Sequence, residues 1–177
     1  MSEETSLLET HENVHEDLSF IAFYEMEFPR MVKIAYALSG SRLAAEDLAQ
    51  EAMLATHRRW QMVRALDRPE AWTRRVLVNK ATSQYRRRRA ELRAIARLGL
   101  LRGSPPAPMA VEFTHVWDKV RSLPQRQAQA VVLFYVDDLP VVRIAEVMEC
   151  SVNTVKVHLY NARRTLAQEL ELDEYQS

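Results

Sequence analysis

The chain has 177 residues, 47% of them apolar, with only three glycines. That bounds it to one ordinary domain or two small ones, globular and mainly helical, and excludes disorder throughout. Its single cysteine, Cys150, excludes an internal disulfide framework and any multi-cysteine zinc cluster, which fits a reducing cytosol. The longest apolar run, Val131 to Val136, is far short of a membrane span, and the acidic N-terminus has no apolar signal region, so a soluble, cytoplasmic chain without membrane insertion is expected.

The formal net charge of zero hides a segregation. Met1 to Glu27 carries eight acids and no Lys or Arg, whereas Gln61 to Arg102 carries twelve cations against Asp67, Glu70 and Glu91. Such asymmetry points to an anionic partner for the middle of the chain. Residues 1–17 lack periodicity and read as an acidic flexible tail. His11 and His15, the one histidine pair at metal-ligand spacing, lie in this tail, where a solvated role outweighs a metal site. The tail serves solubility; a sharper alternative has it fold back over the basic middle and compete with nucleic acid.

From Leu18 to Leu38 apolar residues recur at helical spacing, and Pro29 predicts a kink or break. After Ser39, Gly40 and Ser41 a second helix is predicted from Arg42 to about Gln61. Ala45, Leu48, Ala52 and Ala55 form its packing stripe, while Asp47, Gln50, Glu51, Leu54 and Arg58 share another face. Leu54 and nearby Trp60 give that acid-rich face the apolar anchors protein interfaces use. Gln61 to Arg68 is a connector, and Asp67, Pro69 and Glu70 resemble a capping box opening a helix to about Leu98. Ala71, Val78, Tyr85 and Leu92 recur in it every seven residues. Arg86 to Arg89 circle the helix and cannot share one salt-bridge partner. A solvated positive face would explain two of the cations; twelve, interleaved with Trp72, Tyr85 and Asn79, favour nucleic acid, because cations hold phosphates while aromatics and amides address exposed bases.

Gly99 to Ala110 is rich in Gly and Pro and reads as a linker between two domains. A short helix around Val111 to Ser122 and a largely buried one from about Pro124 to Val136 follow, the second ended by Asp137 and Asp138. Then come two tightly joined helical periods: Val141, Ile144, Ala145 and Met148, and after Glu149, Cys150 and Ser151, Val152, Val155, Leu159, Ala162 and Leu166. Pro140 suits the first turn of one helix and Ser151 caps the next. This is a helix-turn-helix pattern, with Asn153, Thr154, Lys156, Val157 and His158 at the end that enters a DNA major groove.

Residues 35–60, with the core Ala-Glu-Asp-Leu-Ala-Gln-Glu (45–51), resemble the second conserved region of the extracytoplasmic-function, or group four, class of bacterial sigma-70 family factors. Residues 68–89 resemble its promoter-melting part and residues 122–166 resemble the fourth region. The resemblance implies an all-α fold of two small helical domains: after the tail, residues 18–98 form a region 2 domain, 99–111 the flexible linker, and 112–177 a region 4 domain with the helix-turn-helix. It implies a sigma factor that binds core RNA polymerase, directs it to promoters and helps melt the minus-ten element. No catalytic residue, cofactor or metal is implied, and an anti-sigma factor is an expected partner. Asp47, Gln50, Glu51 and Leu54 match the surface that clamps a coiled coil of the polymerase; Asn79, Lys80, Ser83, Arg86 and Arg87 match the helix meeting the minus-ten element. The connector Gln61 to Asp67 matches the loop that captures a flipped base, and Trp72 reads as core packing first and base contact second. At the minus-thirty-five element, Asn153, Val157, His158 and Asn161 fall nearest base edges, and Thr154, Lys156, Arg163 and Arg164 on phosphates. Departures are Glu149 at a turn position that often holds Gly, Val142 at a usually polar position suggesting an apolar contact to an inhibitor, and His158 and Asn161 in place of more usual basic or Ser residues. The alternative is a stand-alone helix-turn-helix regulator that does not use polymerase.

Overall fold

Ser19 opens the structure by accepting a hydrogen bond from the Ala22 amide on its side chain, which starts α1 (Phe20–Ser39). This is a computed structural model, and it describes residues 19–97 and 114–174. The readings of the acidic tail, His11, His15 and the linker lie outside the described residues. Pro29 does not break α1: the helix runs through it, because Phe23, Met31, Ile34 and Leu38 bury one continuous face that outweighs the lost backbone bond. Gly40 ends the helix at φ 73°, its amide donating to the Tyr36 carbonyl. Any larger residue there would also meet Arg121, whose Cζ lies 3.0 Å from where a Cβ would sit.

Ser41 caps α2 (Arg42–Arg58), which buries Ala45, Leu48, Ala49 and Ala52 against its neighbours. The chain then turns through the short α3 (Trp60–Val63), so the expected connector begins as a helical turn anchored by buried Val63. Pro69 starts α4 (Pro69–Arg97), with its missing amide at a position that needs no partner. Thr56 and Thr73 join α2 to α4: their buried hydroxyls are 3.1 Å apart, and each also bonds a carbonyl one turn back, those of Ala52 and Pro69. Helices α1, α2 and α4 make the first body.

The second body holds α5 (Thr114–Ser122), α6 (Gln125–Tyr135), α7 (Val141–Met148) and α8 (Val152–Glu174). α6 is buried from Ala128 to Leu133, matching its nearly unbroken apolar sequence. Ile144, Ala145 and Met148 of α7 close on Val155, Leu159 and Ala162 of α8. Between them Glu149 stands at φ 50°, a left-handed conformation, with the Cys150 amide donating to the Ala145 carbonyl. A side chain in that conformation costs about 1 kcal/mol. Glu149→Gly is therefore expected to raise stability by up to about that amount, read as a higher denaturant midpoint; a lower midpoint would mean that the exposed ion pair of Glu149 with Arg75 matters more than the turn.

The two bodies are not separate in space. α1 touches α5 and α6, and α4 touches α6 and α7. One apolar cluster runs from Ala37, Leu38 and Ala81 of the first body into Leu123, Ala128 and Val132 of the second.

Candidate nucleic-acid interface

Ser151 fixes the start of the recognition helix α8: its Oγ accepts from the Thr154 amide at 3.0 Å and lies 2.8 Å from the Thr154 hydroxyl. Thr154 is thus half-buried and engaged by the cap. With Val155, Leu159 and Ala162 turned inward, the opposite stripe is Asn153, Lys156, Val157, Tyr160 and Arg164, all exposed. Tyr160, 64% exposed, was missed by the sequence reading. Its signal was its phase, seven residues after Asn153 and three after Val157. Asn161 and His158 are half-buried at the rim. Burial, and secondarily the Arg126 guanidinium, hold the His158 imidazole below its ordinary value of 6.5, favouring the neutral ring. Arg163 is drawn toward α6. Its Nε donates to the Tyr135 hydroxyl at 2.9 Å, and its guanidinium lies over the Phe134 and Tyr135 rings at 5.4 and 5.7 Å.

On α4 the buried face includes Thr73, Arg74, Leu77, Val78, Ala81 and Thr82. Asn79, Lys80, Ser83, Arg86 and Arg87 are all exposed, and their spacing places them along one side of the helix. The positive charge is less available than the residue count implied. Arg68 pairs with Glu146 at 3.2 Å, Arg75 with Glu149, Lys80 with Glu51 at 2.7 Å, and Arg74 is wholly enclosed. Uncompensated charge is left further along the helix, where Arg87 and Arg88 are exposed and meet no carboxylate among the described residues. Trp72 is half-buried, as is Tyr85.

The acid-rich face of α2 stands as expected, with Asp47, Gln50, Glu51 and Leu54 exposed. Together with Phe20, Tyr24, Met53 and His57 they line an open cleft of about 670 Å³. Trp60 does not serve as an outer anchor. It packs inward on Phe20 and Phe23, with ring centroids 5.4 and 5.2 Å away, because three aromatic rings bury more area together than one would alone. Leu54, 49% exposed, is the apolar point on this face.

A helix-turn-helix on one body, and on the other a helix presenting amides and guanidinium groups behind an acid-rich cleft, define a two-module, all-helical DNA-binding protein. The family profile described as Sigma-70 region 2 matches residues 23–91, and that described as Sigma-70, region 4 matches residues 116–166. Among curated relatives, the ECF RNA polymerase sigma factor EcfG of Rhodopseudomonas palustris is 28% identical over 147 residues, 82% of this chain and 81% of the relative. The ECF RNA polymerase sigma factor SigW of Bacillus subtilis is 22% identical over 155 residues, 80% of this chain and 83% of that one. In fold, the chain is similar to the sigma factor RpoE of Bartonella quintana, solved with the anti-sigma factor NepR: TM-score 0.65, 22% identity, 87% of this chain and 98% of the other. This chain belongs to the sigma-70 family of RNA polymerase sigma factors, in its extracytoplasmic-function class.

Proposed function

We propose that this sigma factor docks on core RNA polymerase through Asp47, Gln50, Glu51 and Leu54, meets the minus-ten element with Asn79, Lys80, Ser83, Arg86 and Arg87, and reads the minus-thirty-five element with α8. The work is divided between residues 18–98 and 112–177, in the cytoplasm, without catalysis or cofactor. One observation carries the reading: the α2 stripe is fully outside the core yet forms a wall of a cleft with apolar members, a surface that a stand-alone helix-turn-helix regulator has no use for. Opening a duplex costs a few kcal/mol per extruded base, so the factor must hold the freed strand with amides and cations. Attachment to polymerase then joins two weak DNA contacts into one tight one. The direct experiment is in vitro transcription with core polymerase and a promoter library: the chain should support specific initiation only in the presence of core enzyme, and specific binding without it would favour the stand-alone regulator. Because the Bartonella quintana sigma factor was solved with an anti-sigma factor, a protein inhibitor is proposed here too, with exposed Val142 on α7 a contact for it.

On α8, Asn153, Val157, Tyr160 and Asn161 are placed over base edges, with His158 reaching them from the rim, and Lys156 and Arg164 over phosphates. Thr154 and Arg163 follow as phosphate contacts held by Ser151 and Tyr135. Tyr160→Ala is expected to cost about 1 to 3 kcal/mol at promoters with the preferred base and to relax selection at one or two positions. Arg164→Ala should weaken all sequences alike and lower the salt slope by about one. Holoenzyme binding to a set of single-base promoter variants checks both; a uniform loss for Tyr160→Ala would remove its base-reading role.

A further inference from the structure

The stretch from Arg86 to Arg93 carries more positive charge than the proposed minus-ten contacts use, and part of it lines a second cleft. Arg86, Arg89 and Arg93, three and seven residues apart along one side of α4, form one wall. Arg121, Ser122 and Gln125, where α5 turns into α6, form the other. The space between them is about 490 Å³, within the roughly 300 to 1,000 Å³ of small-molecule sites. None of the residues lining it is acidic.

The α4 wall is not neutralised. Arg86, Arg89 and Arg93 form no ion pair among the described residues, and Arg86 reaches across the mouth only to the neutral Gln125 Oε1, at 3.3 Å. Cations at this spacing repel one another, and an anion between them relieves the cost. The opposite wall is fixed in place: Arg121, 8% exposed, is held by Asp118 Oδ1 at 2.5 Å and by the Ala37 carbonyl at 3.0 Å. Beside it α6 begins at Pro124, which offers no side-chain cap and itself lines the cleft. The amides of Gln125 and Arg126 precede the first intrahelical bond, which the Gln127 amide makes to the Pro124 carbonyl at 2.9 Å. The start of this 11-residue helix thus adds partial positive charge and two donors to the three cations.

We propose that the cleft binds a compact polyphosphate, either the di- or triphosphate tail of a nucleotide or the same phosphate chain free. Arg86, Arg89 and Arg93 grip its oxygens with planar donor forks, a geometry that suits phosphate better than any other cationic side chain can. The start of α6 receives its end. A single phosphate leaves part of the charge unmet, whereas a chain of two or three spans the wall. Tyr85, half-buried on the α4 side, offers aromatic surface for a base. Arg87 and Arg88, on the outer side of α4, take no part. Arg86 also belongs to the proposed minus-ten contacts, so on that reading a chain holding the ligand has one cation fewer for the promoter strand.

Isothermal titration of the full chain with inorganic triphosphate, ATP and GTP tests the site, and one-to-one binding is expected. Equal affinity for all three assigns the site to the phosphate chain, and tighter binding of a nucleotide adds a base contact at Tyr85; both support it. No binding of any of the three overturns it. Arg89→Ala with Arg93→Ala should weaken binding about tenfold or more, the loss of charge-assisted hydrogen bonds. Arg88→Ala removes the same kind of charge from the outer side and should leave affinity unchanged. An equal loss there overturns the proposal, because the ligand would then be drawn by the helix at large. Gln125→Glu guards against misfolding: a carboxylate in the first turn of α6 favours that helix yet repels the ligand. Binding should be lost in a chain that circular dichroism shows to be folded, and unchanged affinity overturns the site.

Discussion

Alanine at both Asp47 and Gln50 is expected to leave the fold intact and abolish promoter-dependent transcription. Both side chains are exposed on α2, and surface substitutions of that kind usually change stability by less than about 0.5 kcal/mol each. Association with core polymerase should weaken by about 3 kcal/mol or more, over a hundredfold in Kd, if this stripe carries the central contacts of the interface. Circular dichroism and thermal melting check the first half, and titration of labelled protein with core enzyme the second. Unchanged affinity for polymerase, in a folded variant, would remove the docking surface from this face.

The second large effect is on stability. Ile144 is fully buried in the helix-turn-helix, and Ile144→Ala should cost about 2 to 5 kcal/mol. Because one apolar cluster links both bodies, the loss should appear as a single transition lowered by roughly 5 °C or more. Two separated transitions in calorimetry, with only one displaced, would show that the bodies unfold independently.

Much of this was legible in the residues. The helix-turn-helix was readable because Ile144, Ala145, Met148, Val155, Leu159 and Ala162 keep helical phase on either side of a three-residue break, and Ser151 caps as expected. Glu149 was readable as strained because the turn admits little besides a left-handed residue. Of the kink or break expected at Pro29, the break does not occur, since a local propensity was overruled by burial further along α1. Trp60 was placed outward because a window along α2 cannot see Phe20 and Phe23 arriving from α1. Arg74 shows the deeper limit. Its phase with Val78 and Ala81 marks the inner face of α4, yet its counter-charges, Glu27 and Asp137, come from distant parts of the chain. Counting it as a nucleic-acid cation followed from composition; its enclosure follows from tertiary packing. The docking of one body on the other had no periodic signature either: it joins Ala37, Leu38 and Ala81 to Leu123, Ala128 and Val132, with isolated polar contacts such as Gln129 to Thr82 beside them.

The ion pair between Lys80 and Glu51, 2.7 Å apart, joins the face proposed for polymerase to the face proposed for promoter. A partner that engages the Glu51 carboxylate leaves the Lys80 ammonium uncompensated and a better ligand for phosphate. With both side chains well hydrated the gain is modest, within about 1 kcal/mol. Thermodynamic reciprocity then requires the converse in equal measure: a strand resting on Lys80 frees Glu51 and strengthens the grip on the enzyme.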